Sequence, residues 1–172
     1  MSTRNGKVSS VKVNMGHAEL HPEKIPVNLT GKSIIARKVI IGDKEYEITC
    51  VSMGNPHVVI FCEGVDNADV GTIGPLFEND PLFPDRVNVE FVEIMDKNHL
   101  KMRVWERGNG ETQACGTGAC AAVVAAVLNG HCKKGADIKA QLPGGELIIN
   151  YNDETVYMTG DCVTIYDGVV EI

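Results

Sequence analysis

The run Gly118-Ala-Cys-Ala-Ala-Val-Val-Ala-Ala-Val-Leu-Asn129 decides the fold of this chain. Its residues are small or apolar around the whole circumference of a helix, which predicts a helix that is buried on every side. Glycines at positions 116 and 118 mark the start of this helix, and Gly130 follows it as a C′ residue. The rest of the chain must therefore supply apolar neighbours for all faces of one helix.

The segments around this helix are typical of β-strands, because they alternate apolar with polar residues or are rich in β-branched residues. Turn-forming pairs such as Gly42-Asp43 separate them. The clean alternation in the runs 87–94 and 100–105 predicts that each of those two strands faces a core on one side only. The predicted strands lie near residues 11–15, 34–41, 46–50, 57–61, 87–94, 100–105, 138–142, 146–151, 156–158 and 163–166.

A second, weaker helix is predicted from about residue 66 to residue 77, where Gly71, Gly74 and Pro75 lower the helix propensity. One fully buried helix among many strands indicates the class of fold. We expect an α+β lobe in which a mostly antiparallel sheet is wrapped around one buried central helix.

Composition and charge exclude several classes of function. Of the 172 residues, 44% are hydrophobic, which is enough for a core. The net charge of −7 argues against a partner nucleic acid or an anionic membrane, because phosphates need a basic surface. The longest apolar run, residues 119–128, is too short to span a bilayer, and residues 1–7 lack the apolar stretch of a signal peptide. We therefore expect a cytoplasmic protein.

The six cysteines are expected to be free thiols, because a reducing compartment and a chain of this size both disfavour disulfides. The sequence has no C-x-x-C pair that would indicate a zinc or thioredoxin-type site. A free cysteine is ordinarily a small buried hydrophobic residue. We interpret five of the six in that way and single out only Cys115; the five are Cys50, Cys62, Cys120, Cys132 and Cys162.

Cys115 stands at the start of the buried helix and is followed by Gly-Thr-Gly. The free N–H groups and the positive dipole of a helix N-terminus stabilise a thiolate, so we predict a lowered pKa for this thiol. The same N–H groups bind carboxylates, which would stabilise the charge that develops when the adjacent carbon loses a proton. This arrangement suits removal of the α-proton of an amino acid. A lone C-G-x-G stretch also fits a helix that simply begins with glycines and carries a cysteine.

The longer string Glu106-Arg-Gly-Asn-Gly-Glu-Thr-Gln-Ala-Cys-Gly-Thr-Gly-Ala-Cys120 resembles the second catalytic cysteine motif of the diaminopimelate epimerase family. Its Glu-Arg-Gly run distinguishes it from proline racemases, which share only the C-G-T-G core. Further stretches agree with the family in order and spacing, so the resemblance extends over essentially the whole chain. They are Val13-Asn-Met-Gly16, Ser52-Met-Gly-Asn-Pro-His57, Phe83-Pro-Asp-Arg-Val-Asn88, Gln141-Leu-Pro-Gly-Gly145 and Tyr157-Met-Thr-Gly160.

The resemblance implies a diaminopimelate-epimerase-like lobe and an isomerase of lysine and peptidoglycan precursor synthesis. Such an enzyme interconverts LL- and meso-diaminopimelate with two thiols on opposite faces of the α-carbon. One thiol removes the proton and the other returns it, without pyridoxal phosphate, a metal or any other cofactor. Cys115 would be one of these thiols, and His57 and Glu106 would assist it at the catalytic centre.

The resemblance also implies the groups that bind the substrate. Gly116 and Thr117 would present N–H groups to the reacting carboxylate. The substrate's ammonium groups and distal carboxylate would be held by Asn55, Asn88, Glu106 and Arg107. An arginine suits a bidentate grip on a carboxylate, and a glutamate suits an ammonium group. Outside this context the same residues would be solvated charges, an Asn-Pro turn and a histidine of the core.

The family also has an N-terminal lobe that carries the first catalytic cysteine in a C-G-N-G context, which this sequence lacks. We expect residues 1–16 to form a terminal strand of that lobe, residues 17–160 the C-terminal epimerase lobe, and residues 161–172 a strand that crosses back. The expected partners are thus a small-molecule substrate and the missing lobe. With both terminal strands orphaned, the chain alone should be inactive and self-associate, for instance as a homodimer.

Two alternatives stay open. One is a related isomerase of the same fold that acts on another carbon acid, and Glu106, Arg107 and the two asparagines argue against it. The other is a non-catalytic lobe that binds an amino-acid carboxylate at the helix end. The presence of Cys115 argues against this second alternative, because a binding module needs no thiol there.

Overall fold

The structure is a computed structural model and describes residues 1–4 and 6–171. Residue 172, the last of the predicted crossing strand, lies outside the described residues. The α-helices are α1 (Val70–Glu78) and α2 (Gly116–Leu128), and two 3-10 helices span Pro22–Lys24 and Val65–Asn67. The strands are β1 (Ser2–Arg4), β2 (Lys7–Asn14), β3 (Arg37–Ile41), β4 (Lys44–Ser52), β5 (Pro56–Phe61), β6 (Asn88–Asp96), β7 (His99–Glu106), β8 (Gly110–Thr112), β9 (Asp137–Leu142), β10 (Gly145–Tyr151) and β11 (Val156–Asp161).

The strands form one sheet in the order β1-β2-β11-β10-β9-β7-β6-β5-β4-β3, and the short β8 pairs with β7. Neighbouring strands are antiparallel except for β5 with β6 and β7 with β9, which run parallel. Helix α2 contacts β4, β5, β6, β7, β9, β10 and β11. The predicted α+β fold, a mostly antiparallel sheet around one buried helix, is confirmed. Among the described residues, no helix is both long and apolar enough to cross a membrane.

Helix α2 is buried along most of its length, since every residue from Gly118 to Ala126 is buried. Its C-terminus closes with Gly130 at a φ of 77°, as the sequence predicted. The N–H groups of Gly130 and His131 donate to the carbonyl oxygens of Val127 and Ala126, which is the Schellman pattern. The helix begins two residues before the predicted run, because the flanking glycines are part of its first turn.

Two hydrophobic cores lie against the sheet, one around α2 and one that includes Phe77 of α1. Strand β6 belongs to both, because successive residues of a strand point to opposite faces. Val92 lies in the first core and Val89 in the second. The prediction that this strand faces a core on one side only is therefore wrong, because α1 and α2 both pack on it. The alternation predicted for β7 is confirmed.

The terminal segments differ from the prediction. Strand β2 is not orphaned, because it pairs antiparallel with both β1 and β11. Residues 162–171 form neither helix nor strand, so the predicted strand at 163–166, which was to cross back, is not formed. A strand needs a neighbouring strand to accept and donate its backbone hydrogen bonds. The last backbone hydrogen bond found along this segment joins the N–H of Cys162 to the carbonyl oxygen of Ser9 at 3.1 Å. Ile165 is 89% exposed.

Helix α1 starts at Val70, four residues after the predicted start. Asp69 is its N-cap and accepts a hydrogen bond from the N–H of Thr72 at 3.2 Å. The predicted segment before it forms the 3-10 helix Val65–Asn67 instead. Strands β1 and β8, each only three residues long, were missed because they are shorter than any periodic pattern.

The burial of both faces of β6 can be tested with three matched valine-to-alanine substitutions. Val89→Ala and Val92→Ala each remove methyl groups from a different core, so each should lower the free energy of unfolding by about 1 to 3 kcal/mol. Val13→Ala, at a β2 side chain that is 40% exposed, should change it by less than about 0.5 kcal/mol. Urea unfolding measures all three, and a neutral Val89→Ala or Val92→Ala would show that one face of β6 is open.

Candidate active site

Cys115 is the N-cap residue of α2, and its side chain is 8% exposed. The sulfur accepts a hydrogen bond from the N–H of Gly118 at 3.3 Å. The same sulfur lies 3.6 Å from the hydroxyl of Thr117. The backbone N–H groups of Gly116 and Thr117 belong to the first turn of α2, where helix geometry provides no acceptor. A thiol and free donors therefore meet at one helix end.

The acidity of this thiol differs from the prediction. Burial raises the pKa of Cys115, and the nearby carboxylates of Glu90 and Glu106 raise it further. The hydrogen bonds from Thr117 and from the N–H of Gly118 lower this pKa but do not outweigh those causes. The predicted lowering is therefore wrong, because burial of the thiol raises its pKa more than the hydrogen bonds at the helix end lower it. The raised pKa favours the protonated thiol.

His57 lies fully buried in β5 and connects the interior to this helix end. Its Nδ1 is 2.7 Å from Oε1 of Glu90, and its Nε2 is 3.0 Å from Oδ1 of Asn55. The amide nitrogen of Asn55 donates to the hydroxyl of Thr117 at 3.3 Å. The structure thus brings the predicted residues Asn55, His57, Thr117 and Cys115 into one hydrogen-bonded set.

Glu90 is a residue that the sequence analysis missed. It had no predicted role, and its side chain is completely buried. Burial raises the pKa of Glu90, against the lowering effect of His57. Its Oε2 has no hydrogen-bond partner in the part of the chain that the structure describes. A usable signal was present, because His57 and Glu90 are ionisable residues that lie between apolar neighbours in predicted strands.

Asn88 and Arg107 form a second set next to the first. Oδ1 of Asn88 accepts from the backbone N–H of Arg107 at 3.0 Å, and its amide nitrogen donates to the carbonyl of Pro56 at 2.8 Å. A guanidinium nitrogen of Arg107 donates to the carbonyl of Asp85 at 2.8 Å. The side chain of Asn88 therefore links the start of the turn at Arg107 to Pro56, the residue after Asn55. Its amide is occupied within the protein.

Glu106 ends β7 and accepts a hydrogen bond from the hydroxyl of Thr112. The turn after it is held by the buried Glu78, a second residue that the sequence analysis missed. Oε1 of Glu78 accepts from the N–H of Gly108 at 2.7 Å, and Oε2 accepts from the indole of Trp105 at 2.7 Å. These bonds anchor both sides of the Glu106-Arg107 pair.

A glycine is required at position 118, because the side chains of Glu90 and Cys115 leave no room there for a Cβ atom. A Cβ atom at this position would stand 2.9 Å from Oε1 of Glu90 and 3.1 Å from the sulfur of Cys115. Those separations are shorter than ordinary van der Waals contacts. The second glycine of the Gly-Thr-Gly stretch therefore lets the thiol and the buried carboxyl group approach each other across the helix end.

The chain shares its fold with solved structures of a racemase and an epimerase. It is similar in structure to a probable proline racemase from Agrobacterium radiobacter, with a TM-score of 0.66 over 93% of this chain and 53% of that chain, at 15% identity. A hydroxyproline epimerase from Agrobacterium vitis gives a TM-score of 0.65 over 92% of this chain and 51% of that chain, at 14% identity. At these identities the likeness concerns the fold alone.

Among racemases and epimerases, the chain belongs to the diaminopimelate epimerase family. The family model described as diaminopimelate epimerase matches residues 49–165. The diaminopimelate epimerase of Acetivibrio thermocellus is 51% identical over all of this chain and 61% of that protein. The diaminopimelate epimerase of Desulfovibrio desulfuricans is 52% identical over 95% of this chain and 59% of that protein. The resemblance found in the sequence is confirmed, and the chain spans about 60% of the length of these curated relatives.

The role of Gly118 can be tested by replacement with alanine. Gly118→Ala should lower the free energy of unfolding by about 1 to 3 kcal/mol, because the added methyl group overpacks the space between Cys115 and Glu90. It should also change the rate at which Cys115 reacts with iodoacetamide.

The matched control for this substitution is Gly71→Ala. Gly71 lies in α1 with nothing near its Cβ position, so the variant should leave stability unchanged or raise it by up to about 1 kcal/mol. Urea unfolding and peptide mapping of the alkylated thiol give both readouts. Equal behaviour of the two variants would show that the helix end has room for a side chain.

Proposed function

We propose that this chain is the C-terminal half of a cofactor-independent diaminopimelate epimerase that interconverts LL- and meso-diaminopimelate. The observation that carries the proposal is the thiol of Cys115 at the N-terminus of the buried helix α2, beside the free N–H groups of Gly116 and Thr117. It is supported by the names of the relatives, which are diaminopimelate epimerases. The reaction would serve the synthesis of lysine and peptidoglycan precursors.

The N–H groups of Gly116 and Thr117 are proposed to bind the carboxylate next to the reacting carbon. Donors at a helix N-terminus favour an anion, and the macrodipole of α2 adds to this preference. When the α-proton leaves, its electron pair spreads into that carboxylate and increases its negative charge. The same donors therefore stabilise the transition state more than the bound substrate.

Cys115 is proposed to exchange a proton with the α-carbon from one face. One thiolate accepts the proton from the substrate, and a thiol on the opposite face donates its own proton to the carbanion, which inverts the centre. The raised pKa of Cys115 favours its protonated form, which suits the donor role. After donation it is a thiolate, which is the form required for the reverse reaction.

The second thiol is proposed to come from a further lobe, in the part of the relatives that this chain does not cover. Cys120 lies inside α2, where burial raises its pKa to about 12. None of the other cysteines in the described ranges forms a hydrogen bond with a member of the Cys115 set; they are Cys50, Cys62, Cys132 and Cys162.

Recognition of the distal end of the substrate is proposed to involve the second set of residues. Arg107 would bind the distal carboxylate, for which its guanidinium must exchange the carbonyl of Asp85 for the ligand. Glu106 would bind an ammonium group. The amides of Asn55 and Asn88 would orient the amino-acid ends, for which each must exchange an internal hydrogen bond for the ligand. His57 would assist Cys115 through Asn55, its hydrogen-bond neighbour.

We propose that residues 17–160 are the epimerase lobe and that residues 1–16 and 161–172 contact the further lobe. The supporting observation is a run of exposed apolar side chains in the second of these segments. They are Val163, Ile165, Tyr166, Val169 and Val170, and each is at least 80% exposed. Such a surface favours association, so the chain alone should self-associate, for instance as a homodimer.

The proposed function is tested by combining this chain with the N-terminal part of the Acetivibrio thermocellus relative that it does not cover. Incorporation of deuterium from D₂O at the α-carbon of LL-diaminopimelate, followed by NMR, measures proton exchange. We expect exchange only when both parts are present. Cys115→Ala should lower the rate by about 10² to 10⁴-fold, the usual contribution of one acid–base group.

The control for that variant is Cys132→Ala, a buried cysteine outside the site, which should keep the rate within about 2-fold. Exchange by the chain alone at the rate of the combined parts would contradict the need for a second thiol. An unchanged rate in Cys115→Ala would contradict the role of this thiol. Binding of diaminopimelate without any exchange by the combined parts would support a binding module instead.

A further inference from the structure

A continuous series of hydrogen-bonding side chains runs from the interior of the protein to the thiol of Cys115. Oε1 of Glu90 lies 2.7 Å from Nδ1 of His57, and Nε2 of His57 lies 3.0 Å from Oδ1 of Asn55. The amide nitrogen of Asn55 lies 3.3 Å from the hydroxyl of Thr117, which lies 3.6 Å from the sulfur of Cys115. We refer to these five residues as the Glu90 relay.

The direction of each bond in the Glu90 relay fixes the direction of the next. Oδ1 of Asn55 only accepts, so Nε2 of His57 must carry the proton. The amide nitrogen of Asn55 only donates, so Thr117 accepts there and its own hydrogen is available to the sulfur. In this direction the relay delivers an O–H to Cys115, which stabilises the thiolate.

The opposite direction needs only a different proton position and a turned amide. When Nε2 of His57 carries no proton, it accepts from the amide nitrogen of Asn55. Oδ1 of Asn55 then accepts the hydrogen of Thr117, and the hydroxyl oxygen accepts the S–H of Cys115. This direction stabilises the thiol. A thiol that acts alternately as an acid and as a base would use both directions of the relay.

Glu90 is the residue that decides between the two directions. Its carboxyl group is fully buried, and its single side-chain partner within residues 1–4 and 6–171 is Nδ1 of His57. With Nε2 protonated, one further proton is shared between Nδ1 and Oε1, and the pair has no net charge. A buried carboxylate without a partner for its second oxygen is costly, so the neutral pair is favoured.

We propose that Glu90 is a positioning residue which, through His57, sets the direction of the Glu90 relay and so the protonation form of Cys115 that the site favours. This role of the Glu90 relay rests on the proposed function, because only a thiol that acts as both acid and base needs both its thiol and its thiolate form. The raised pKa of Glu90 agrees with the shared proton. The other ionisable groups around the sulfur are Glu106 on β7 and Cys120 on α2.

The test is the pH dependence of alkylation of Cys115 by iodoacetamide in the 172-residue chain, quantified on the Cys115 peptide by mass spectrometry. Glu90→Gln keeps an N–H donor toward Nδ1 of His57 and so holds the relay in the direction that favours the thiolate. The two chains should react alike where the Glu90–His57 pair keeps its shared proton. Above the pH at which the pair loses that proton, Glu90→Gln should be alkylated about 3- to 10-fold faster, which corresponds to a pKa of Cys115 lower by about half a unit to one unit. Glu93→Gln, the same change on the same strand, should stay within about 2-fold.

A double-mutant cycle separates the relay from a simple effect of charge. Thr117→Val removes the hydroxyl that links Asn55 to the sulfur. In that background, Glu90→Gln should keep only the direct effect of the carboxylate on the sulfur, so its fold-change in alkylation rate should be at least about 2-fold smaller than in the unaltered background. The same fold-change in both backgrounds would overturn the proposal, and so would an unchanged pH profile in Glu90→Gln.

If the Glu90→Gln variant does not fold, a second measurement tests the proposal without it. The ¹⁵N chemical shifts of the His57 ring report its tautomer in the unaltered chain and in Thr117→Val. A relay that couples the two ends should give the two proteins different pH midpoints or tautomers, and identical titrations would overturn the proposal. These measurements need no substrate, so their outcome is separate from that of the epimerisation experiment.

Discussion

Burial of α2 on all of its sides is the constraint on which the rest of the structure depends. Because no face of this helix tolerates water, the sheet must surround it, and seven strands do so. Only the two ends of the helix are then left for polar chemistry. The C-terminus is closed by the Schellman bonds around Gly130, whereas the N-terminus keeps unpaired N–H groups beside Cys115. The same apolar run therefore determines both the fold and the place of the site.

The site depends on polar groups that the apolar cores retain at a cost. His57 and Glu90 lie in neighbouring strands with no exposure, in positions where an apolar pair would pack without any desolvation. The absence of a side chain at Gly118 leaves room for the side chains of Glu90 and Cys115 to lie close to each other. Glu78 holds the turn at the far side of the site with both of its oxygens. These features are consistent with one another as the support of the proposed catalytic thiol.

Sequence patterns predicted the parts of this structure that local chemistry determines. The C-terminal end of α2, the alternation of β7 and the position of Cys115 follow from residue spacing. The two-sided burial of β6 does not, because alternation tells which residues share a face and not what covers it. The acidity of Cys115 depends first on its burial and then on Glu90, which is distant in sequence. The segment at 163–166 has strand-like residues, yet a strand also requires a neighbour.

The central claim is that the N-terminus of α2 binds the carboxylate of an amino acid with Cys115 beside it. Titration of the ¹⁵N-labelled chain with meso-diaminopimelate, followed through the backbone amides, tests this claim most directly. The account predicts saturable shifts that are largest at Gly116 and Thr117, with the exposed Gly71 of α1 unaffected. Saturable binding that leaves the amides of Gly116 and Thr117 unchanged would contradict it.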